Sequence, residues 1–412
     1  MSAPGRIARA APAPAAGGFF SPSSRSLILW IASVALALLA LLAIFRAPAK
    51  IFWIPAVVVT EAGVFLALAA LLICALSNRH SVEGLWTFRA SAFAAVLLLT
   101  PLARAWRVAE RLPVGLASAF GAVVLPEAGA PARAVPLRVR DLFRGVRSPP
   151  VRETSRVYST AGSRPLPMDI YGPAGGSALR PAVLVIHGGS WASGSRKELS
   201  ELNRYLAARG YLVGAIDYRL APAFHFPAQV EDVFAAIAYL KSHAADLGWD
   251  ADAGLVLLGR SAGGEIALAA AYAHPRDPAI RGVIAFYAPS DLALAYAKPG
   301  NPLVINSRKI IETYLGGPPP SIPAVYAAAS PIGLVDRASA PTLLVHGGRD
   351  ELVGVIHSER LARKLAENGR PYFFLDLPWA THGCDAFFRG PSGQLSTYVV
   401  ERFLAAVLPV KK

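Results

Sequence analysis

A serine framed by small residues, Gly259-Arg260-Ser261-Ala262-Gly263, is the first place in this 412-residue sequence where residue type and spacing point to chemistry. A sharp strand-to-helix turn forces backbone segments together, so its flanking positions must lack side chains. The serine hydroxyl then stands clear above a sheet. The N-terminus of the helix beyond it favours negative charge. A serine hydroxyl is a weak nucleophile and needs a base, oriented in turn by a third group. Eight histidines are available as the base. The chain order serine, acid, histidine points to Asp350, in His346-Gly347-Gly348-Arg349-Asp350, and to His382, in Thr381-His382-Gly383-Cys384. Each follows an apolar run that reads as a strand, which places both at carboxyl ends of successive strands. A carboxylate there can orient the imidazole and stabilise its protonated form. Glu351 and Asp385 compete with Asp350, which is preferred for its place just after the strand. His187 and His346 each end a strand ahead of a glycine turn and read as structural. His357 reads as an exposed helix-start residue, and Cys384 as a small packing residue beside the base.

An acyl transfer also needs donors for the oxyanion. Adjacent glycines in His187-Gly188-Gly189-Ser190-Trp191 let backbone N–H groups approach a substrate oxygen closely. With the amide of Ala262, those of Gly188 and Gly189 would form the oxyanion hole.

These residues need a frame. Short strands are expected over 156–159 and 168–171, and a strand buried on both faces over 182–187. A helix follows over 195–209, a strand over 211–218 and a helix over 227–243. In that last helix Val230, Val233, Phe234, Ile237 and Leu240 fall at i, i+3, i+4, i+7 and i+10. Strands at 254–258, 281–287, 341–346 and 372–377 are interleaved with helices from 262, over 357–368 and over 395–408. Such alternation predicts a mainly parallel sheet with helices on both faces, its active groups gathered at the carboxyl ends of the strands. Residues 295–323, with the run Pro318–Pro320, interrupt the pattern, either as a lid over the site or as a surface excursion.

Taken together, HGGSW (187–191), DYRLAP (217–222), GRSAGG (259–264), HGGRDELV (346–353) and THG (381–383) resemble the α/β-hydrolase superfamily. Within it the chain is similar to hormone-sensitive-lipase-like carboxylesterases and to feruloyl-esterase-like and formamidase-like bacterial hydrolases. The resemblance covers about 155–410. It implies an α/β-hydrolase fold, Ser261 as nucleophile, Asp350 as acid and His382 as base. Lipase-like members carry a third glycine where this chain has Ser190, and often Asp where it has Arg260. Ser190-Trp191 is closer to the feruloyl-esterase-like pattern. The resemblance implies no catalytic role for Asp217, Tyr218 or Arg219.

The first 150 residues are different in kind. They hold 15 Lys+Arg against 5 Asp+Glu, whereas residues 151–412 hold 26 against 22. The basic excess flanks apolar runs instead of forming a face on a folded domain, which excludes nucleic acid as the expected partner and points to membrane-anchor flanks. Residues 26–45 carry no charge and, as a helix, would cover roughly 30 Å, the hydrocarbon core of a bilayer. A second run, 51–76, is broken by Glu61, and a third, 85–102, by Arg89. Both charges are expected to snorkel to an interface, against a functional pair within the membrane. Trp30, Trp53, Trp86 and Trp106 fall near span ends, where amphipathic rings belong. A cleaved signal peptide would have a shorter apolar region.

The chain therefore divides into a tail (1–25), a transmembrane region of two or three helices (26–111), a linker (112–150) and an α/β-hydrolase domain (151–412). Four arginines on one side of three spans against five basic residues on the other leave the positive-inside count tied. The arginines at 133, 138, 140, 144 and 147 lean toward a cytoplasmic second domain. Two cysteines exclude a disulfide scaffold and a zinc ribbon, and no phosphate-loop lysine or H-E-x-x-H motif calls for a cofactor or metal. The reading is a membrane-anchored serine hydrolase of carboxylic esters, with a small or lipid-like ester and the bilayer as partners. Amide hydrolysis by the same triad, and a noncatalytic membrane protein on a hydrolase scaffold, are the alternatives.

Overall fold

The two short strands expected near 156 and 168 are the cores of a longer antiparallel hairpin, β1 (Val151–Ala161) and β2 (Arg164–Pro173). The computed structural model describes residues 24–121, 125, 131–146, 148–174 and 179–408. After the hairpin come β3 (Ala182–Ile186), β4 (Leu212–Ile216), β5 (Leu255–Arg260), β6 (Ile280–Phe286), β7 (Thr342–Gly347) and β8 (Tyr372–Leu377). They form one eight-stranded sheet in the order β1-β2-β4-β3-β5-β6-β7-β8. The hairpin and its pairing with β4 are antiparallel, and every pairing from β4 to β8 is parallel.

The continuous apolar runs of β3, β4 and β5 are explained by burial of every residue on both faces. One face packs under Ala228–Ser242, Ala262–Tyr272 and Ile356–Glu367, with Val233, Ile237, Ile266 and Leu361 in its core. The other packs under Ser200–Ala207 and Pro391–Val407, with Leu202, Leu206, Val399 and Phe403. Right-handed crossovers place the β3–β4 helix on one face and the helices after β4, β5 and β7 on the other, because the strand order reverses at β4. The chain has the α/β-hydrolase fold.

Ahead of the sheet stand three helices, Ser24–Ala40, Trp53–Leu76 and Val82–Phe120. With its short 3-10 extension the first runs to Ala43, and all three are long and apolar enough to cross a membrane. The expected tail, 1–25, lies outside the described residues as far as 23, and Ser24 and Arg25 open the first helix. The third helix corrects the expected linker at 112. It has 39 residues, about 58 Å at 1.5 Å each, nearly twice a bilayer core. Pro101 and Pro113 lie inside it. It continues because Ala105, Ala109, Leu112 and Leu116, spaced 4, 3 and 4 apart, bury one stripe against the sheet domain. Gly115 abuts Phe373 of β8, where an added Cβ would meet the ring at 3.0 Å.

Glu61 is also corrected. It does not snorkel, but lies buried with its carboxylate on Ser392 at the start of the last helix. Arg89 is elsewhere, with its guanidinium over the Trp86 ring.

Candidate active site

Ser261 is held where few side chains can sit. It leaves β5 at φ 52°, ψ −121°, a strained conformation for a non-glycine residue. The turn closes because Gly259 and Gly263 have no side chains. A Cβ on Gly259 would meet the Gly263 carbonyl at 2.0 Å, and one on Gly263 the His187 carbonyl at 2.2 Å. The Ser261 amide donates to Phe286 of the neighbouring strand at 2.9 Å.

The structure brings the three expected side chains together at the carboxyl edge of the sheet. His382 Nε2 lies 3.0 Å from Ser261 Oγ. His382 Nδ1 lies 2.7 Å from Asp350 Oδ2. The loop after β7 carries Asp350, whose Oδ1 accepts from the amides of Leu352 (2.9 Å) and Val353 (2.8 Å). Burial alone would push the Asp350 carboxyl up. The imidazoles of His382 and His346 outweigh it and hold the carboxyl well below the usual carboxylate range.

His346, expected to be structural, has a place beside the acid. Its Nε2 is 3.3 Å from Asp350 Oδ2 and 2.9 Å from the Val353 carbonyl, while Nδ1 is 2.7 Å from Ser358 Oγ. Two oxygens around Nε2 assign the proton to that nitrogen. His357 is corrected from exposed to buried. The Ser290 amide donates to its Nδ1 at 3.3 Å, and burial, then the charge of His346, pushes it down to about 4. His187 stacks on Tyr218 at 4.3 Å.

The competing acids have other surroundings. Asp385 takes the Arg260 Nε at 2.5 Å and the Tyr287 hydroxyl at 2.6 Å. It thereby ties the serine turn to the loop of His382, which accounts for a basic residue at 260. Glu351 is buried with neither carboxylate oxygen hydrogen-bonded, and burial, then the Asp350 charge, pushes it up to about 7. Cys384 is buried, and burial raises its thiol well above the ordinary value. It is a packing residue.

Gly188, Gly189 and Ala262 line the same cavity as Ser261 and His382. Gly189, Ser190 and Trp191 have φ of 114°, 56° and 59°. Ser190 thus occupies a left-handed position of the kind that favours glycine. The loop is fixed by Trp191, which stacks on Tyr314 at 4.3 Å and donates to Glu265 Oε2 at 2.8 Å. Tyr314 donates to the same oxygen at 3.2 Å. Glu265 follows the serine by four residues, so one buried carboxyl joins the glycine loop, the serine helix and the segment 295–323.

That carboxyl gives a pH signature. Burial pushes Glu265 up to about 8 from 4.5. Between those values the folded protein holds a proton that the unfolded chain has released. Stability therefore falls as pH rises from 4.5 and levels off above about 8. Glu265→Gln keeps an acceptor for Trp191 and Tyr314 and does not ionise. Melting in detergent is expected to give similar Tm values for both proteins near pH 5, and a variant higher by roughly 5–10 °C at pH 8. Parallel Tm curves across that range would refute the assignment.

The cavity has a volume of about 700 Å³. The segment 295–323 lies over the site and is not a surface excursion, because Lys298, Leu303, Val304 and Ile310 form part of the wall. So do Lys50, from the turn ahead of the second N-terminal helix, and Trp53, its first residue. Neither residue was legible as a site residue, since their approach to His382 spans more than 300 positions. A larger cavity of about 820 Å³, lined by Arg133, Arg138 and Arg144, contains none of Ser261, Asp350 and His382. Among the described residues no cluster of His, Cys, Asp and Glu is arranged to hold a metal ion.

Comparison with known proteins follows this geometry. The BD-FAE family model matches residues 168–365, a stretch that includes Ser261 and Asp350 and ends before His382. The chain is 27% identical over 241 residues to the probable carboxylic ester hydrolase LipM of Mycobacterium tuberculosis, covering 55% of this chain and 54% of that one. It is 30% identical over 221 residues to the esterase LipC of the same organism, covering 50% and 53%. The chain spans about half the length of the curated relatives it matches. Among solved structures, a hyperthermophilic esterase from Pyrobaculum calidifontis aligns with a TM-score of 0.55 at 25% identity, over 64% of this chain and 88% of that one. The thermophilic esterase Est2 of Thermogutta terrifontis aligns at 0.52 and 25%, over 61% and 91%.

Proposed function

We propose that this chain, an α/β-hydrolase resembling the hormone-sensitive-lipase-like and feruloyl-esterase-like carboxylesterases, is a membrane-anchored serine esterase. The observation that carries the reading is the unbroken line from Asp350 through His382 to Ser261 in the wall of the cavity. Ser261 Oγ attacks the ester carbonyl while His382 Nε2 takes its proton. The amides of Gly188, Gly189 and Ala262 hold the oxyanion. His382 returns the proton to the leaving alcohol. It then activates water to release the acid from the acyl-enzyme.

The substrate is an amphiphilic or lipid-like ester met at the bilayer surface. Support comes from the rim, where the Lys50 amide donates to the Leu303 carbonyl and Trp53 lines the same cavity. Phe45, Ile51 and Leu303 are 62%, 78% and 71% exposed there, an apolar edge next to the cavity and the candidate spans. Three crossings put the start of the first helix and the sheet domain on opposite faces. The arginines at 133–147 support the cytoplasmic face for the sheet domain.

The test gives the full chain, in vesicles, three nitrophenyl substrates: a short soluble ester, a long-chain ester dissolved in the vesicle, and the anilide matching the first. The Thermogutta esterase was solved with propionate bound, so propionate is the first short acyl group to use. Hydrolysis of both esters, with the long-chain one preferred and the anilide far slower, is expected. Preference for the anilide would transfer the triad to amide chemistry. Preference for the short ester would remove the bilayer from the account.

A further inference from the structure

The loops that carry the acid and the base are held from outside the sheet domain. Arg349, next to Asp350 in the chain, donates to the carbonyls of Leu42 (2.9 Å), Ala43 (2.5 Å) and Phe45, where the first helix ends. The last carbonyls of a helix have no partner within it, and the partial negative charge there favours a cation. The guanidinium is buried, and its one further bond is a long one, 3.5 Å to the Trp379 carbonyl. Arg46 answers from the helix side with a bond to the Gly348 carbonyl at 3.1 Å. Gly348 and Arg349, the two residues that precede Asp350, are thus fastened to the end of one candidate span.

The second helix treats the His382 loop in the same way. Trp53 Nε1 donates to the His382 carbonyl at 3.0 Å, and its ring centre lies 6.4 Å from the imidazole. Two turns farther on, Glu61 accepts from the Ser392 amide at 2.9 Å and the Ser392 hydroxyl at 2.6 Å. That point is where the chain leaves the His382 loop and enters the last helix. By contrast, Ser261 is fastened within its own domain, through Phe286 and through the Arg260–Asp385 pair.

We infer that the N-terminal helices are a working part of the active site, with Arg349 and Trp53 as positioning residues that set Asp350 and His382 against Ser261. The inference rests on the serine-esterase reading. A loop fastened at one end only would let the imidazole sample positions off the serine. Misplacement on the order of 1 Å costs about a hundredfold in rate. The competing account is that the same bonds merely dock the helices, in which case their loss would lower Tm and leave turnover alone.

The experiment uses the full chain in vesicles with a short soluble ester. It compares Arg349→Gln, Arg349→Lys and Trp53→Phe with the unmodified protein and with Ser261→Ala. Arg349 is not part of the cavity wall, so Arg349→Gln should lower kcat about tenfold or more with KM within about twofold. Arg349→Lys, which keeps the charge but cannot fork to three carbonyls, should recover part of that kcat. Trp53→Phe keeps one ring beside His382 and loses the donor together with the second ring of a cavity-wall residue, so its kcat is read apart from KM. It should lower kcat roughly threefold to tenfold, and it remains informative if the Arg349 variants do not fold. Unchanged kcat in Trp53→Phe and in folded Arg349 variants, with Tm lowered, would overturn the inference while Ser261→Ala stays inactive. Turnover retained by Ser261→Ala would overturn the esterase reading instead.

Discussion

Membranes carrying the Ser261→Ala protein are expected to lose fluorophosphonate labelling altogether and roughly 10⁶-fold in ester kcat. The labelling reaction needs a serine whose proton is taken as the phosphorus is attacked. Among the described residues Ser261 Oγ has His382 Nε2 at 3.0 Å for this, backed by Asp350 at 2.7 Å. The backbone at φ 52° costs on the order of 1–3 kcal/mol, and its return is a hydroxyl lifted clear of the sheet at a helix N-terminus. The alanine leaves that backbone and the neighbouring glycine contacts in place, so folding is preserved and the comparison is clean. Some 10³–10⁴-fold acceleration over water should survive if the Gly188, Gly189 and Ala262 amides act as the oxyanion hole. Labelling that persists in the variant would mean a different serine is reacting. Absence of labelling in the folded unmodified protein would favour a noncatalytic scaffold.

Much of this site was legible because each part depends on local sequence. Gly259 must be glycine for a turn that Gly263, four residues on, crowds. Asp350 and His382 each sit just past an apolar run of strand length. That β3 to β8 run parallel follows from their alternation with helices. What the sequence hid is long-range. The stripe Ala105, Ala109, Leu112 and Leu116 is masked by Arg104, Arg107, Glu110 and Arg111 on the other faces and by Pro113, so the apolar run reads as ending at 102 and the transmembrane region at 111. Glu61 looked like a charge in search of water, because its partner Ser392 lies 331 positions away. Nothing local marks Arg349, because the carbonyls it serves are more than 300 positions back. His346 and His357 are near Asp350 in sequence, yet which imidazole reaches the carboxylate depends on side-chain direction. Strand-end position does not give that.

Asp350→Asn is expected to cost about 10⁴-fold in kcat with the fold intact, and the reason lies in hydrogen-bond direction. Asp350 Oδ1 already accepts from two backbone amides, and Oδ2 faces His382 Nδ1 and His346 Nε2. An asparagine that keeps its oxygen on the amides turns its NH₂ toward both imidazoles. His382 can then meet it only by moving its proton to Nε2, the nitrogen that must accept from Ser261. A tautomer that stabilises the variant is thus one that cannot act as base. Asp385 cannot stand in, since both of its oxygens are committed to Arg260 and Tyr287. Glu351 is pushed up to about 7 by burial and by Asp350 itself, and no hydrogen bond aims it at His382. Measured on a short soluble ester, Asp350→Asn should therefore fall far below Glu351→Gln, with KM for the ester nearly unchanged because the carboxylate is buried behind the imidazole. A loss of less than about tenfold in Asp350→Asn, matched by a larger one in Glu351→Gln, would move the acid one residue along the chain and with it the register of the loop that Arg349 holds.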